Sequence, residues 1–119
     1  MARTNTPMHA LVTLNDPAYV EAARVMAQRV VAFAPTDAAR IDEAFRLATA
    51  HAPAPAEKKI LTARLAKLRT EFAADPAAAA ELSATGEAPR LTTLPPVEHA
   101  AWTTLCLLIL NLDETLSKS

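Results

Sequence analysis

The chain has 119 residues, of which 51% are apolar, 4% aromatic and 21% charged, and its formal net charge is -1. It contains a single Gly but 28 Ala residues. One glycine excludes the glycine-rich loops with which nucleotide-binding folds hold phosphate. Ala favours helices and is rare in strands. Because chains of this length usually form one core, we predict an all-α protein with a single helical domain over residues 1–119.

Charge and cysteine content exclude further classes of protein. A slightly negative chain lacks the basic surplus with which proteins bind nucleic acid. Cys106 is the only cysteine, so a disulfide within the chain or a metal site built on a cysteine pair cannot form. The apolar run around Cys106 predicts a buried thiol with a raised pKa. That run is shorter than the roughly 20 residues of a membrane span, so we expect no membrane insertion.

Proline steps after Thr or Asp mark the predicted helix starts, since the polar residue can cap the helix and Pro fits its first turn. Together with the spacing of apolar residues, they predict an irregular bundle of five or six helices. The predicted helices begin at Thr6-Pro7, Asp16-Pro17, Thr36 or Asp37, Pro55, Asp75-Pro76 and Val97, and they end near Leu14, Phe33, Pro53, Ala73, Gly86 and Leu116.

Three expectations concern side chains within these helices. Asp42 and Arg46 lie four residues apart in the third helix and are predicted to form an ion pair. The basic stretch 58–69 is predicted to be a solvated helix surface. The short Ala-rich helix has little to bury beyond Leu82, whereas the last helix is the most apolar and is predicted to be the central element. Its broad apolar face comprises Trp102, Leu105, Cys106, Ile109, Leu112 and Leu116.

No set of residues with the spacing of a metal or catalytic site is apparent. His9, His51 and His99 lie far apart and lack a second ligand at helical spacing, so capping or packing roles are expected. No Gly-flanked Ser suggests a nucleophile. We therefore predict no catalytic residue, no metal and no cofactor in this chain.

The most informative polar residue is Asp113, which falls on the apolar face of the last helix. A carboxylate there needs partners because its desolvation is costly. One interpretation is a structural ion pair with Arg24. The other is a polar cluster that lines a pocket, and its members would be Asn5, Asn15, Asp113 and Glu114.

Several motifs resemble a known family. They are RTNTP over 3–7, ALVTLNDP over 10–17, VEAAR over 20–24, ARI over 39–41, AFRLA over 44–48, the boundary 53–57, and the terminal helix with AAW at 100–102 and LNLDE at 110–114. The chain resembles the C-terminal part of the planctomycete-type PSD domain, a bacterial domain of unknown function found downstream of cytochrome-c-like domains. Ala54 departs from the polar residue expected before the Pro55 helix start.

The resemblance implies that this is the C-terminal piece of a larger exported protein, periplasmic or secreted. It implies no haem here, because the cysteine pair that would hold one is absent. The first hypothesis is a non-catalytic helical module that docks on upstream domains of the parent protein or self-associates through the last helix, whose Leu107, Leu108 and Leu110 extend its apolar surface.

Two other hypotheses stay open. The chain could be a fragment of an enzyme or electron-transfer protein linked to polysaccharide metabolism, contributing Asn and carboxylate groups to a shared site. A stand-alone ligand-binding bundle would instead need an internal cavity.

Overall fold

A computed structural model describes residues 17–86 and 93–118, with side chains for 18–86 and 93–112. These residues form five helices and no strand, which confirms the predicted all-α class. The helices are α1 (Pro17–Phe33), α2 (Asp37–Thr49), α3 (Pro55–Ala74), α4 (Pro76–Ser83) and α5 (Pro96–Lys118). The short helix predicted to begin at Thr6-Pro7 lies outside the described residues.

The helix ends follow the capping residues seen in the sequence. The Thr36 side chain accepts a hydrogen bond from the Ala39 amide at 3.3 Å, and Asp75 accepts one from the Ala78 amide at 3.2 Å. Each bond satisfies an amide that has no partner inside its helix. At its other end α2 stops at Ala50, whose φ of 70° turns the chain out of the helical path.

The start of α3 is capped from one side only. The Ala54 amide donates to Glu57 Oε1 at 2.7 Å, as in a capping box. The reciprocal bond is missing, because the methyl side chain of Ala54 has no oxygen to accept from the first turn.

Helix α5 is the centre of the bundle, as predicted, and packs against each of the other four helices. Its side chains Trp102, Leu105, Cys106 and Ile109 are fully buried. Three helices that surround α5 contribute the core residues Val20, Ala23, Ala27, Val30, Ile41, Ala44, Phe45, Leu61, Leu65 and Leu68. Small buried Ala residues let the helix backbones approach closely, so few large rings are needed to fill the interior.

Two predictions about the last helix are wrong. Leu112 was expected on the buried face but is 43% exposed, near the end of the described side chains of α5. Leu107, expected to extend an apolar outer surface, is buried in the core, and Leu110 is partly buried and packs against it. Because α5 is surrounded by other helices, residues beyond one face of the helix still find neighbours.

The short helix α4 also buries more than its composition suggested. Ala79 and Ser83 are fully buried, while the predicted anchor Leu82 is only partly so. Ala79 and Ser83 are four residues apart and lie on one side of the helix. A short Ala-rich helix can therefore pack closely on α5 without large side chains.

No helix in the described ranges is both long and apolar enough to cross a membrane.

Candidate functional site

Among the described residues, the densest group of charged side chains surrounds Arg69 on α3. Its guanidinium donates to both oxygens of Asp37, at 2.7 and 3.0 Å, and to both oxygens of Glu98, at 2.7 Å each. Asp37 is the first residue of α2, and Glu98 lies in the first turn of α5. One cation therefore bridges the N-terminal ends of two helices from a third, with the planar two-bond geometry that arginine forms with carboxylates.

Trp102 forms the inner side of this group. Its indole Nε1 donates to Glu98 Oε1 at 3.3 Å, and the Arg69 guanidinium carbon lies 6.0 Å from the centre of the ring. The ring is fully buried, and its contacts with Glu98 and Arg69 connect the ion pairs to the core. We call Asp37, Arg69, Glu98 and Trp102 the Arg69 cluster.

The protonation states of the Arg69 cluster are set by these contacts. The hydrogen bonds from Arg69, with the positive charges of Arg69 and Arg40, lower the pKa of Asp37 despite partial burial. The hydrogen bonds to Asp37 and Glu98 raise the pKa of Arg69. Asp37 is thus ionised and Arg69 charged at neutral pH. Because each group is stabilised in its charged form, neither is suited to donate or accept a proton during a reaction.

The sequence interpretation missed the Arg69 cluster. The prediction of a solvated surface over 58–69 is wrong for Arg69 and Lys58, which both form ion pairs with other helices. Lys58 instead donates to Asp42 at 2.9 Å, across to α2. A signal was present, since residues 58 and 69 are eleven apart and fall within about 20° of each other on a helical wheel, beside the buried leucines. That flank is where charged side chains can reach a neighbouring helix.

The predicted Asp42–Arg46 ion pair is also wrong. Arg46 instead pairs with Glu43, three residues earlier, at 2.7 Å. Asp42 turns to Lys58 on α3. Both three- and four-residue spacings bring helical side chains together, and the tertiary neighbour decided between them.

A second polar group lies between α1 and α5. Arg24 is fully buried, and its Nε donates to the Thr85 carbonyl at 2.7 Å while Nη1 donates to Gln28 Oε1 at 3.3 Å. His99, also fully buried, donates through Nε2 to the Arg24 carbonyl at 3.2 Å. These bonds join α1, α5 and the segment after α4, so they hold the packing of three parts of the chain.

The predicted polar cluster cannot be placed within the described side chains. Asn5 and Asn15 lie outside the described residues, and Asp113 and Glu114 lie in α5 with side chains that are not described. The Arg24–Asp113 ion pair has one described partner, the buried Arg24. The cluster and the ion pair both stay predictions.

The remaining candidates for chemistry are held by packing. Burial raises the pKa of the Cys106 thiol to about 12, as its apolar context predicted, so little nucleophilic thiolate forms near neutral pH. His51 packs edge-on against the Phe45 ring at 5.5 Å between centres, and His9 lies outside the described residues. Among the described side chains, no three His, Cys, Asp or Glu groups are arranged to hold a metal ion.

An open groove lies beside the end of α1 and has a volume of about 370 Å³. Its lining residues are Phe33, Ala39, Asp42, Glu43, Arg46 and Ala52. The Phe33 side chain is 63% exposed there, which leaves a large aromatic surface in water. Asp42 and Glu43 are already paired with Lys58 and Arg46, so the groove offers mainly apolar surface.

Comparison with protein families identifies the chain. The model of the PSD1 family, described as protein of unknown function (DUF1553), matches residues 1–65. The chain belongs to this family. The matched part of this PSD1 protein ends within α3, so Arg24 and Asp37 lie inside it, whereas Arg69 and Glu98 lie beyond it. Comparisons with curated proteins and with solved structures gave no match.

Proposed function

We propose that this PSD1 chain is a non-catalytic helical module that completes, or docks on, the rest of a larger exported bacterial protein. The observation that carries the proposal is the Arg69 cluster. Its four hydrogen bonds engage both oxygens of Asp37 and of Glu98, so the densest described group of titratable side chains is used to join helices. Groups that must move protons or bind a substrate would need free bonding positions instead.

Exposed apolar side chains support the docking part of the proposal. Phe33 and Ile60 are 63% and 68% exposed, although the same chain buries much smaller Ala residues completely. Large rings exposed beside a groove are typical of interaction surfaces, where aromatic side chains contribute most of the binding energy. Phe33 is therefore the residue we expect to matter most for docking.

The proposal is tested by producing this chain and the remaining domains of the same open reading frame separately and then mixing them. We expect a one-to-one complex by light scattering after gel filtration. A reading frame that encodes no further domain would overturn the proposal. So would the absence of a complex at about 100 μM of each part, where even a weak interface is populated.

Two single variants locate the docking surface. Phe33→Ala should weaken the complex about tenfold or more, since it removes an exposed aromatic ring, and should leave the unfolding transition unchanged. Leu112→Ala is the matched truncation on the last helix, where association was first expected. A loss of affinity with Leu112→Ala alone would move the docking surface to α5.

A further inference from the structure

Helix α3 has an outer face that its structural contacts do not use. Leu61, Leu65 and Leu68 point into the core. Lys58 and Arg69 reach from the flank to α2 and α5. Most of the other residues of this 20-residue helix lie outside the buried stripe and form none of these contacts.

Three cations lie outside the buried stripe, with Lys59 and Lys67 on the outer side and Arg64 on the flank opposite Lys58 and Arg69. Lys59, Arg64 and Lys67 are exposed and form no ion pair with any side chain that the structure describes. At 100° per residue they fall within an arc of about 140°, and at 1.5 Å per residue they span about 12 Å of the helix. Glu71, one turn beyond Lys67, is exposed and falls within the same arc, so this surface carries three positive charges and one negative charge. We call Lys59, Ile60, Arg64 and Lys67 the basic face.

Ile60 lies within the same arc, between Lys67 and Arg64 on the wheel, and is 68% exposed. A partner that covers the basic face would therefore bury an apolar side chain and neutralise three charges together. Removal of this apolar area from water favours binding, and the surrounding charges set the orientation of the partner.

Charge complementarity points to the chemistry of the partner. We propose that the basic face of α3 binds an acidic segment, with several Asp or Glu side chains, in the remaining domains of the larger protein; the inference rests on the proposed docking function. The net charge of -1 does not favour a nucleic acid, which attracts proteins with a basic surplus. A lone Ile without aromatic neighbours on this face offers too little apolar area to anchor in a lipid surface.

The test uses one charge reversal and a control of equal charge change. Arg64→Glu alters the basic face, and Arg29→Glu alters an exposed arginine on α1. Calorimetric titration of the remaining domains into each variant should show about tenfold weaker binding for Arg64→Glu at low salt and little change for Arg29→Glu. The difference between the two variants should shrink as salt screens the charges.

Each outcome separates this inference from the proposed function. A complex that Arg64→Glu leaves intact, or that both variants weaken equally, overturns the acidic partner and keeps the docking function. Absence of any complex with the unchanged chain overturns both. In a separate arm, binding of the chain to phosphatidylglycerol vesicles that Arg64→Glu abolishes would assign the basic face to lipid and overturn the inference.

Discussion

Arg64 and Arg69 stand five residues apart on α3 and have opposite surroundings. Arg69 donates four hydrogen bonds to Asp37 and Glu98, whereas Arg64 is exposed and makes no described ion pair. On a helical wheel the two lie on opposite flanks of the buried leucines, each about 40° from the nearest one, and only the Arg69 flank meets the carboxylates of Asp37 on α2 and Glu98 on α5. The same residue type therefore joins helices at one position and is available to a partner at the other.

The Asp37 carboxylate provides a prediction about pH. Its pKa is lower in the folded chain than the ordinary 3.8, mainly because of the hydrogen bonds from Arg69. The stability it contributes is therefore present above that ordinary value and is lost as the pH falls through the lower folded value. At neutral pH, Asp37→Asn should destabilise the chain by about 1 kcal/mol, a modest figure because solvent screens a side chain that is 41% exposed.

Urea unfolding of the original chain and the Asp37→Asn variant at several pH values measures this effect. The difference in unfolding free energy should shrink steadily below about pH 4. Glu71→Gln is the control, because it removes an exposed carboxylate without a described ion pair and should cost about 0.5 kcal/mol or less. A difference between the Asp37 variant and the original chain that does not change with pH would contradict the assignment.

At the level of single helices, side-chain capping explains where α2 and α4 begin. Thr36 and Asp75 supply side-chain caps where they were expected. These starts could be predicted because a cap depends on residues within one turn of each other. The start of α3 is the exception, since Ala54 supplies only its backbone amide to Glu57.

Restoring the missing cap should stabilise the chain. Ala54→Ser places a hydroxyl where the first-turn amides of α3 lack a side-chain acceptor, and the Glu57 bond completes the capping box. We expect a gain of about 0.5–1 kcal/mol in the free energy of unfolding. The matched change Ala63→Ser, at an exposed position inside the same helix, should cost about 0.5 kcal/mol from lower helix propensity. Equal effects of the two changes in urea unfolding would refute the capping explanation.

The ion pairs between helices were not predictable in the same way. The four-residue rule paired Asp42 with Arg46, but Asp42 contacts Lys58 on α3. A rule based on spacing describes one isolated helix, and it contains no information about which helix will pack alongside.

For the molecule as a whole, the arrangement of helices around α5 decides which apolar residues matter. Ile109 on α5 is fully buried, while Ile60 on α3 is 68% exposed. Both are isoleucines within helices, and Ile109 was predicted on the apolar face of the central helix. Their difference comes from the position of α5 between four neighbours and of α3 at the edge of the bundle.

These two isoleucines form a matched pair of variants. Ile109→Ala should reduce the free energy of unfolding by about 2–5 kcal/mol, because it removes buried methyl groups and leaves a cavity. Ile60→Ala should change it by about 0.5 kcal/mol or less. Urea unfolding followed by Trp102 fluorescence measures both. Similar losses for the two variants would show that α5 does not occupy the centre of the core.

The chain belongs to the PSD1 family, which is described as protein of unknown function. Membership of this family therefore assigns no activity to the chain. The motifs over residues 3–57 lie within the matched part of the chain and were visible as short strings, because such strings depend on order alone. The polar cluster of Asn5, Asn15, Asp113 and Glu114 requires side chains from both ends of the chain to meet in the folded molecule. Because these side chains are not described, the cluster stays a prediction.

Composition and local chemistry were enough to establish the all-α class, the starts of the described helices and the burial of Cys106, because each depends on neighbours within a few turns or on average residue preferences. The folded arrangement was needed to show that Arg69 joins α2, α3 and α5 and that Leu107 lies inside the core. Contacts of this kind join residues about 30 positions apart, as Arg69 and Glu98 are. Their formation depends on how whole helices pack, which no pattern within a single helix encodes.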